Sequence, residues 1–176
     1  THSRRQLREV LVNFWHAHFN VMATDFSAGP VFAHYDRDVI RANATGNLRT
    51  MLEAVAQSTS MLYYLDNLNN SRSGPNENFA RELLELHTFG AENYLGFMDP
   101  FAVPPCPEDP SYPIGYTDID VYETSAAFTG WSAKVGHWQF PNENDGTFSY
   151  HQSWHDAGPK FLLGMLIYPE QPALKD

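Results

Sequence analysis

The chain has 176 residues, of which 43% are hydrophobic, and this is enough for one globular domain over residues 1–176 but not for two. Its 21 Asp and Glu outnumber its 11 Lys and Arg. The net charge of -10 argues against a nucleic-acid partner, because phosphate binding requires a basic patch. No apolar run approaches the roughly 20 residues of a membrane-spanning helix. The single cysteine, Cys106, excludes an internal disulfide and a cysteine-based zinc site.

The first strong pattern is a run of apolar residues at three- and four-residue steps, which predicts a helix over residues 4–22. Ser3 and Gln6 have the spacing of a capping box at its start. The residues predicted to face the core are Leu7, Val10, Leu11, Phe14, Trp15, His18 and Met22. Three further helices are predicted in the first half of the chain, after Asp36, over 46–57 and from Ser58 to Leu65.

In the second half of the chain, apolar spacing predicts helices over 76–89, ending at Gly90, and over 118–128. Residues 98–113 contain six prolines and read as a surface insertion without regular structure. The alternation of Trp138 and Phe140, and then of Phe148 and Tyr150, predicts a β-hairpin near 137–152.

Together these patterns predict a mainly α fold, an irregular helical bundle with a small β-hairpin in its C-terminal part. The helical pattern begins almost at the first residue, and 161–168 reads as a buried element close to the last one. We therefore expect a segment of a larger protein, incomplete at both ends, whose first partner is the rest of the same polypeptide.

Two histidines in the first predicted helix are candidates for chemistry. His16 and His18 diverge by about 200° around the helix, so they cannot bind one ion as a simple pair. His18 falls on the apolar stripe and His16 on its flank. A packed His18 and an exposed His16 are the alternative to a ligand role for either one.

The helix over 76–89 carries a second group of candidates. Asn78, Glu82 and Glu85 follow at four- and three-residue steps, so their oxygens share one face and could bind a cation. The alternative is a row of ion pairs, because Glu77 and Glu85 each lie four residues from Arg81. His87 is expected to be packed rather than to bind a ligand.

A third group follows the predicted hairpin, where His155 and Asp156 are adjacent and Lys160 comes four residues later. Loops on a rigid scaffold often carry function, but a His-Asp pair alone is a weak signal. No nucleophile elbow or glycine-rich phosphate loop is present, so nucleophilic and nucleotide chemistry have no support in the sequence.

Several of these motifs occur together in one known family. The chain resembles the bacterial family catalogued as domain of unknown function 1800 in the runs 15–19, 35–41, 75–87 and 128–131 and in the pair His155 and Asp156. The match spans almost the whole chain, and the block 75–86 is its most specific part. Ala126 departs from the family pattern, which places an arginine there, and 98–113 looks like an insertion.

The resemblance implies that the chain is the middle portion of a larger protein that is exported or periplasmic. It implies no established activity, substrate or cofactor.

The leading hypothesis from residues and resemblance is a metal-dependent enzyme, hydrolytic or oxidative, that holds a divalent or copper ion between the first helix and the Asn76 helix. Its nitrogen ligands would be His16 or His18 and His155, and its carboxylate ligands and general base would be Glu82 and Glu85. The alternative is a non-enzymatic binding or scaffold module, in which the same residues form a buried polar network. The structural members of that network are predicted to be Asn78, Arg81, Asp156 and Lys160.

Overall fold

The computed structural model describes residues 6–168, which are mostly helical with two small antiparallel strand pairs. The α-helices are α1 (Gln6–His18), α2 (Phe32–His34), α3 (Arg41–Asn43), α4 (Leu48–Ala56), α5 (Thr59–Tyr64), α6 (Asn78–Glu82) and α7 (Asp118–Ala127). Two π-helical segments, which we call π1 and π2, are Tyr35–Ile40 and Leu83–Thr88. The strands are β1 (Trp131–Ala133), β2 (Phe148–Tyr150), β3 (Lys160–Leu162) and β4 (Met165–Ile167). Between residues 6 and 168, no helix is long and apolar enough to cross a membrane.

The chain divides into two compact units. The first consists of Thr1–Leu68 and Trp131–Tyr150, and the second of Asn69–Gly130 and His151–Asp176. The single domain predicted over residues 1–176 stays a prediction. The predicted capping box at Ser3 lies outside the described residues.

Helix α1 confirms the first helical prediction, but the face predicted to be buried was wrong. Leu7 is 73% exposed and Phe14 is 55% exposed, whereas Val12 and Phe19 are buried. The helix is apolar on two sides, and periodicity cannot tell which side meets the core. Trp15, which was predicted to face the core, is half-buried, and its Nε1 donates to the carbonyl of Ala44 at 3.0 Å.

The strands of the first unit correct the hairpin prediction. β2 lies where Phe148 and Tyr150 predicted a strand, but its antiparallel partner is β1, with Trp131 opposite Tyr150. Trp138 and Phe140 lie in a loop instead. Their alternation resembles a strand, but the backbone N–H of Lys134 donates to Thr147 at 2.8 Å and leaves 136–146 as the connection. Trp131 and Phe148 then cover a core of Leu62, Leu68 and Ala133.

The second unit is built around α6, π2 and α7. Phe79, Ala80 and Leu84 are buried, while Leu86 is 55% exposed. The helix ends as predicted at Gly90, whose φ of 93° suits glycine. The core of this unit comprises Ala80, Leu84, Tyr116 and Val121.

The Pro-rich stretch 98–113 contains only a short 3-10 turn, Pro100–Ala102, and an isolated bridge between Pro105 and Pro113. Residues 98–113 therefore contain no α-helix and no β-strand. That the stretch is an insertion stays a prediction.

The start of α7 is held by a buried carboxylate. Asp120 Oδ2 accepts hydrogen bonds from the backbone N–H and the hydroxyl of Thr117, both at 2.8 Å, which closes a capping box. Asp120 Oδ1 accepts from the backbone N–H of Leu163 at 2.7 Å, in the turn between β3 and β4. One side chain therefore ties the helix start to the hairpin.

The hairpin β3–β4 replaces the buried element predicted over 161–168. Met165 and Leu166 are exposed, and Phe161 is half-buried. An apolar run of this length does not reveal how many of its sides will be covered, and a two-stranded hairpin covers only one.

Replacing Asp120 with asparagine should destabilise the protein by about 1–3 kcal/mol, because one oxygen becomes an NH2 group that cannot accept and a buried donor loses its partner. Chemical denaturation of Asp120→Asn and of the control Glu123→Gln, which removes the same charge from α7, would measure this. Equal stability of the two variants would contradict the proposed role of the carboxylate.

Candidate functional site

His16 belongs to a charged network in the first unit. Its Nε2 lies 2.7 Å from Asp36 Oδ1, and Arg41 Nε donates to the other carboxylate oxygen at 2.8 Å. Arg41 Nη1 also pairs with Glu9 at 2.9 Å. Burial opposes the ionisation of Asp36, but the hydrogen bonds from His16 and Arg41 outweigh it and lower its pKa. His16 is thus half-buried and paired, rather than exposed as the simpler reading predicted.

The π1 segment places the two ends of this network together. The backbone N–H of Arg41 bonds to the carbonyl of Asp36, five residues back. A π turn of this kind often occurs at functional sites. Here it holds a carboxylate and a guanidinium within reach of one another.

His18 lies among aromatic rings on α1. The ring centroids of Phe14, Trp15 and Phe19 lie 6.1, 5.8 and 4.7 Å from that of His18. Its surroundings are those of a packed imidazole. A ligand role for His18 stays a prediction.

Arg81 forms only part of the predicted ion-pair row. Its Nη2 lies 3.1 Å from Glu77, as the four-residue spacing predicted, but its second partner is Asp118 at 3.5 Å rather than Glu85. The hydroxyl of Tyr94 donates to the same Asp118 oxygen at 2.6 Å. The π2 segment begins at Leu83, and its wider turn changes the direction of the side chains that follow, including that of Glu85.

Glu82 and Glu85 are half-buried, and within residues 6–168 neither carboxylate forms a hydrogen bond or an ion pair. Burial, and then the charge of Glu85, raise the pKa of Glu82, although Arg81 partly opposes this. Asn78 is exposed, and its backbone N–H donates to the side chain of Asn76. The two glutamates are therefore neighbouring carboxylates on one helical stretch, and within residues 6–168 no hydrogen-bond donor or cation pairs with either of them.

The predicted group at His155 does assemble. His155 Nδ1 lies 2.8 Å from the carbonyl of Thr129, so this nitrogen carries the proton. The backbone N–H of Asp156 donates to the hydroxyl of Thr129 at 2.7 Å, and Lys160 Nζ lies 3.2 Å from the Asp156 carboxylate. A hydrogen bond from the backbone of Gly158 lowers the pKa of Asp156, and Lys160 lowers it further against the effect of burial.

The predicted ligands are divided between the two units. His16 and His18 lie in the first unit, and Glu82, Glu85 and His155 lie in the second. Over the range 6–168, no three His, Cys, Asp or Glu side chains are grouped so that they could hold a metal ion. That these residues share one metal stays a prediction.

The sequence reasoning missed several polar residues that organise the second unit. Asn70 is fully buried, donates to the carbonyl of Ser125 and accepts from the backbone N–H of Asn76, both at 2.9 Å. Thr129 and Asp120 are also buried. The Thr117-x-x-Asp120 spacing is a capping signal that could have identified Asp120. No comparable signal marks Asn70, which lies in a loop of polar residues.

The raised pKa of Glu82 predicts a specific dependence of stability on pH. The folded state holds the Glu82 proton more tightly than the unfolded chain, so this contribution is present at low pH and is lost as pH rises from the usual pKa of 4.5 through the folded-state pKa. Glu82→Gln imitates the protonated form, so its gain in thermal stability over the unchanged protein should appear near about pH 7 and vanish near about pH 3. Glu53→Gln, at an exposed position of α4, serves as control. A loss of stability at both pH values would show that Glu82 has a stabilising partner.

Gly130 supports the His155 group through close backbone contact. It has φ of 85°, and a Cβ there would lie 2.7 Å from the carbonyl oxygen of His151. Gly164 has a similar φ of 76° but nothing within 4 Å of such a Cβ. Gly164→Ala should therefore cost about 1–2 kcal/mol from backbone strain alone. Gly130→Ala should lower the free energy of unfolding by more than Gly164→Ala does. Equal losses of stability in the denaturation curves of the two variants would show that the close contact at Gly130 adds no steric cost.

Comparison with known proteins matches one family over almost the whole chain. The model of the family described as "Protein of unknown function (DUF1800)" matches residues 1–174. No curated protein and no solved structure matches the chain. The match covers the helices, the carboxylate pair and the His155 group together, and it confirms the resemblance found in the sequence. The chain belongs to the DUF1800 family of proteins of unknown function.

Proposed function

We propose that this chain is a non-enzymatic binding or scaffold module whose polar side chains hold its helices and loops in register. The observation that carries the proposal is the network of His155, which was predicted as a metal ligand, with Asp156 and Lys160, which were predicted as structural residues. All three bond to one another or to nearby backbone. Thr129 is its centre, because its hydroxyl donates to the carbonyl of Ala126 and accepts from Asp156. The network thus links the end of α7 to the loop before β3.

Lys160 shows why such a network favours a structural role. Its side chain is only 8% exposed, and burying an ammonium group is costly unless its donors are satisfied. Its Nζ donates to the carbonyls of Asp156 and Gly158 at 3.0 and 2.7 Å and pairs with the Asp156 carboxylate. These three partners use all three of its donors.

Arg81 contributes less to this scaffold than the sequence suggested. Its side chain is 36% exposed and that of Glu77 is 43% exposed. An ion pair this open to solvent is worth at most about 1 kcal/mol. The buried networks of Lys160, Asn70 and Asp120 therefore supply most of the polar stabilisation of the second unit.

A metal-dependent enzyme, hydrolytic or oxidative, is the second candidate function. It is favoured by the carboxylate pair of Glu82 and Glu85, which lacks donors, and by His16, whose ring is oriented by a carboxylate as metal-binding histidines usually are. Elemental analysis of protein purified without an affinity tag tests it. A stoichiometric zinc, iron, copper or manganese content supports the enzyme, and a metal content below stoichiometry supports the module.

We also propose, from the family resemblance, that the whole protein is longer than this chain, is mainly α and is exported. Fusion of the complete reading frame to a reporter that is active only outside the cytoplasm would test the export. Reporter activity confined to the cytoplasm would contradict it.

Replacing Lys160 with methionine should cost about 1–3 kcal/mol, because the carbonyls of Asp156 and Gly158 lose their donor. The control is Lys134→Met, since Lys134 is 35% exposed and lies 3.6 Å from Asp145. Loss of Lys160 should also raise the pKa of Asp156. Chemical denaturation, together with carboxyl NMR of Asp156, measures both effects. Equal stability of the two variants would argue against the scaffold proposal.

A further inference from the structure

Helix α1 carries a second apolar side that faces away from its own core. Leu7, Val10 and Phe14 are 73%, 62% and 55% exposed, and Ala17 is also exposed. Val12, on the opposite side of the helix, is buried. We call the four exposed residues the α1 stripe. No other part of residues 6–168 covers it, and a contiguous apolar patch of this kind marks an interaction surface.

The spacing of the α1 stripe indicates what kind of partner it fits. Its residues follow one another at steps of three, four and three, which are the steps between the a and d positions of a heptad. Side chains at these positions form a narrow seam, and in paired helices each one inserts between four side chains of the facing helix. The net charge of -10 disfavours an anionic membrane surface as the partner. The stripe therefore fits another helix.

The sizes of the four side chains match those of α1 in a second copy of the chain. In an antiparallel pair about a twofold axis midway between Val10 and Phe14, Leu7 lies opposite Ala17 of the second copy and Val10 lies opposite its Phe14. Every layer then combines a large side chain with a small one, as close packing requires. A parallel pair would overpack the layer of two Phe14 rings and leave a void at the two Ala17 methyl groups.

The charges of α1 do not oppose this pairing. No acidic residue borders the stripe, whose neighbours around the helix are Gln6, Leu11, Asn13 and His18. The only acidic residue of α1 is Glu9, which lies away from the stripe and pairs with Arg41 at 2.9 Å. Two acidic copies would thus meet where α1 contributes no carboxylate.

We infer that the α1 stripe is an interface through which two copies of this chain associate as an antiparallel helix pair. The inference goes beyond the proposed scaffold and does not depend on it, because α1 belongs to the first unit and Lys160 to the second. Helix α1 has 13 residues, and interfaces smaller than about 1,200 Å² are usually weak and transient. We therefore expect a reversible dimer that forms at micromolar concentrations and above.

Sedimentation velocity of the complete protein tests the inference. The unchanged protein should shift reversibly from monomer to dimer as its concentration rises. Phe14→Glu buries an unpaired charge in two layers of the pair and should weaken association at least about a hundredfold. The matched control is Phe26→Glu, since Phe26 is 96% exposed and lies outside α1. It makes the same change and should leave association unchanged.

The pairing of large with small side chains gives a second test. Val10→Phe should weaken the dimer, because two phenyl rings then meet in one layer. The double variant with Val10→Phe and Phe14→Val restores a large side chain opposite a small one and should recover most of the lost affinity. Both positions are exposed, so the core of the first unit is not altered.

Cysteine pairing reports the orientation of the two helices. Each Leu7 lies level with Ala17 of the other copy, so the two Leu7 positions are ten residues, or about 15 Å, apart along the axis. In a Cys106→Ser background, a mixture of Leu7→Cys and Ala17→Cys should form a disulfide-linked dimer under mild oxidation. Leu7→Cys alone should form none, because a disulfide cannot span that distance.

Sedimentation as a monomer at every concentration would overturn the inference and indicate that another part of the polypeptide covers the stripe. Equal effects of Phe14→Glu and Phe26→Glu would also overturn it. A double variant as weak as Val10→Phe, or self-linking of Leu7→Cys, would contradict the antiparallel pair. Failure of the Lys160→Met prediction would instead contradict the scaffold and leave the α1 interface standing.

Discussion

The buried carboxylate of Asp120 is the interaction on which the second unit depends most. It caps α7 through Thr117 and accepts from the backbone N–H of Leu163 in the turn of the β3–β4 hairpin. Leu163 has φ of 52°, a conformation that costs a bulky residue about 1–3 kcal/mol. The hydrogen bond to Asp120, and the packing of Leu163 on the core of Ala80, Leu84, Tyr116 and Val121, offset that strain.

The polar residues of the second unit fall into two classes with different physical consequences. Asp120, Thr129 and Lys160 are buried and have hydrogen-bond partners, so changing them removes stability. Glu82 and Glu85 are half-buried and have none within residues 6–168. Burial and the charge of Glu85 raise the pKa of Glu82, so changing this residue should alter how stability depends on pH.

Each of the two π-helical segments lies at a cluster of charged residues. π1 contains Asp36 and ends beside Arg41, and π2 contains Glu85 and directly follows Glu82. Each segment makes backbone bonds over five residues, as between Phe89 and Leu84. The wider turn changes where side chains point, which explains why Arg81 meets Asp118 instead of Glu85.

Much of the helical architecture could be predicted from the sequence, because apolar spacing and caps are local signals. The helices over 48–56, 59–64 and 118–127 lie where the pattern predicted them, and Gly90 ends its helix as expected. The candidate site was predicted only in part. Arg81 pairs with Glu77, which lies at the four-residue spacing considered from the sequence, and Lys160 pairs with Asp156.

The remaining features depend on residues far apart in the chain. Which residues of α1 are buried is decided by packing against other elements, and the partner of β2 by a strand that precedes a long connection. The role of Asn70 and the contact of Asp120 with Leu163 could not be predicted, because they arise from carbonyls and N–H groups supplied by other elements. The sequence by itself thus determined the helices and the types of residue available for chemistry. Only the tertiary structure decided which charges are paired, because a hydrogen bond depends on distance and direction that local periodicity does not contain.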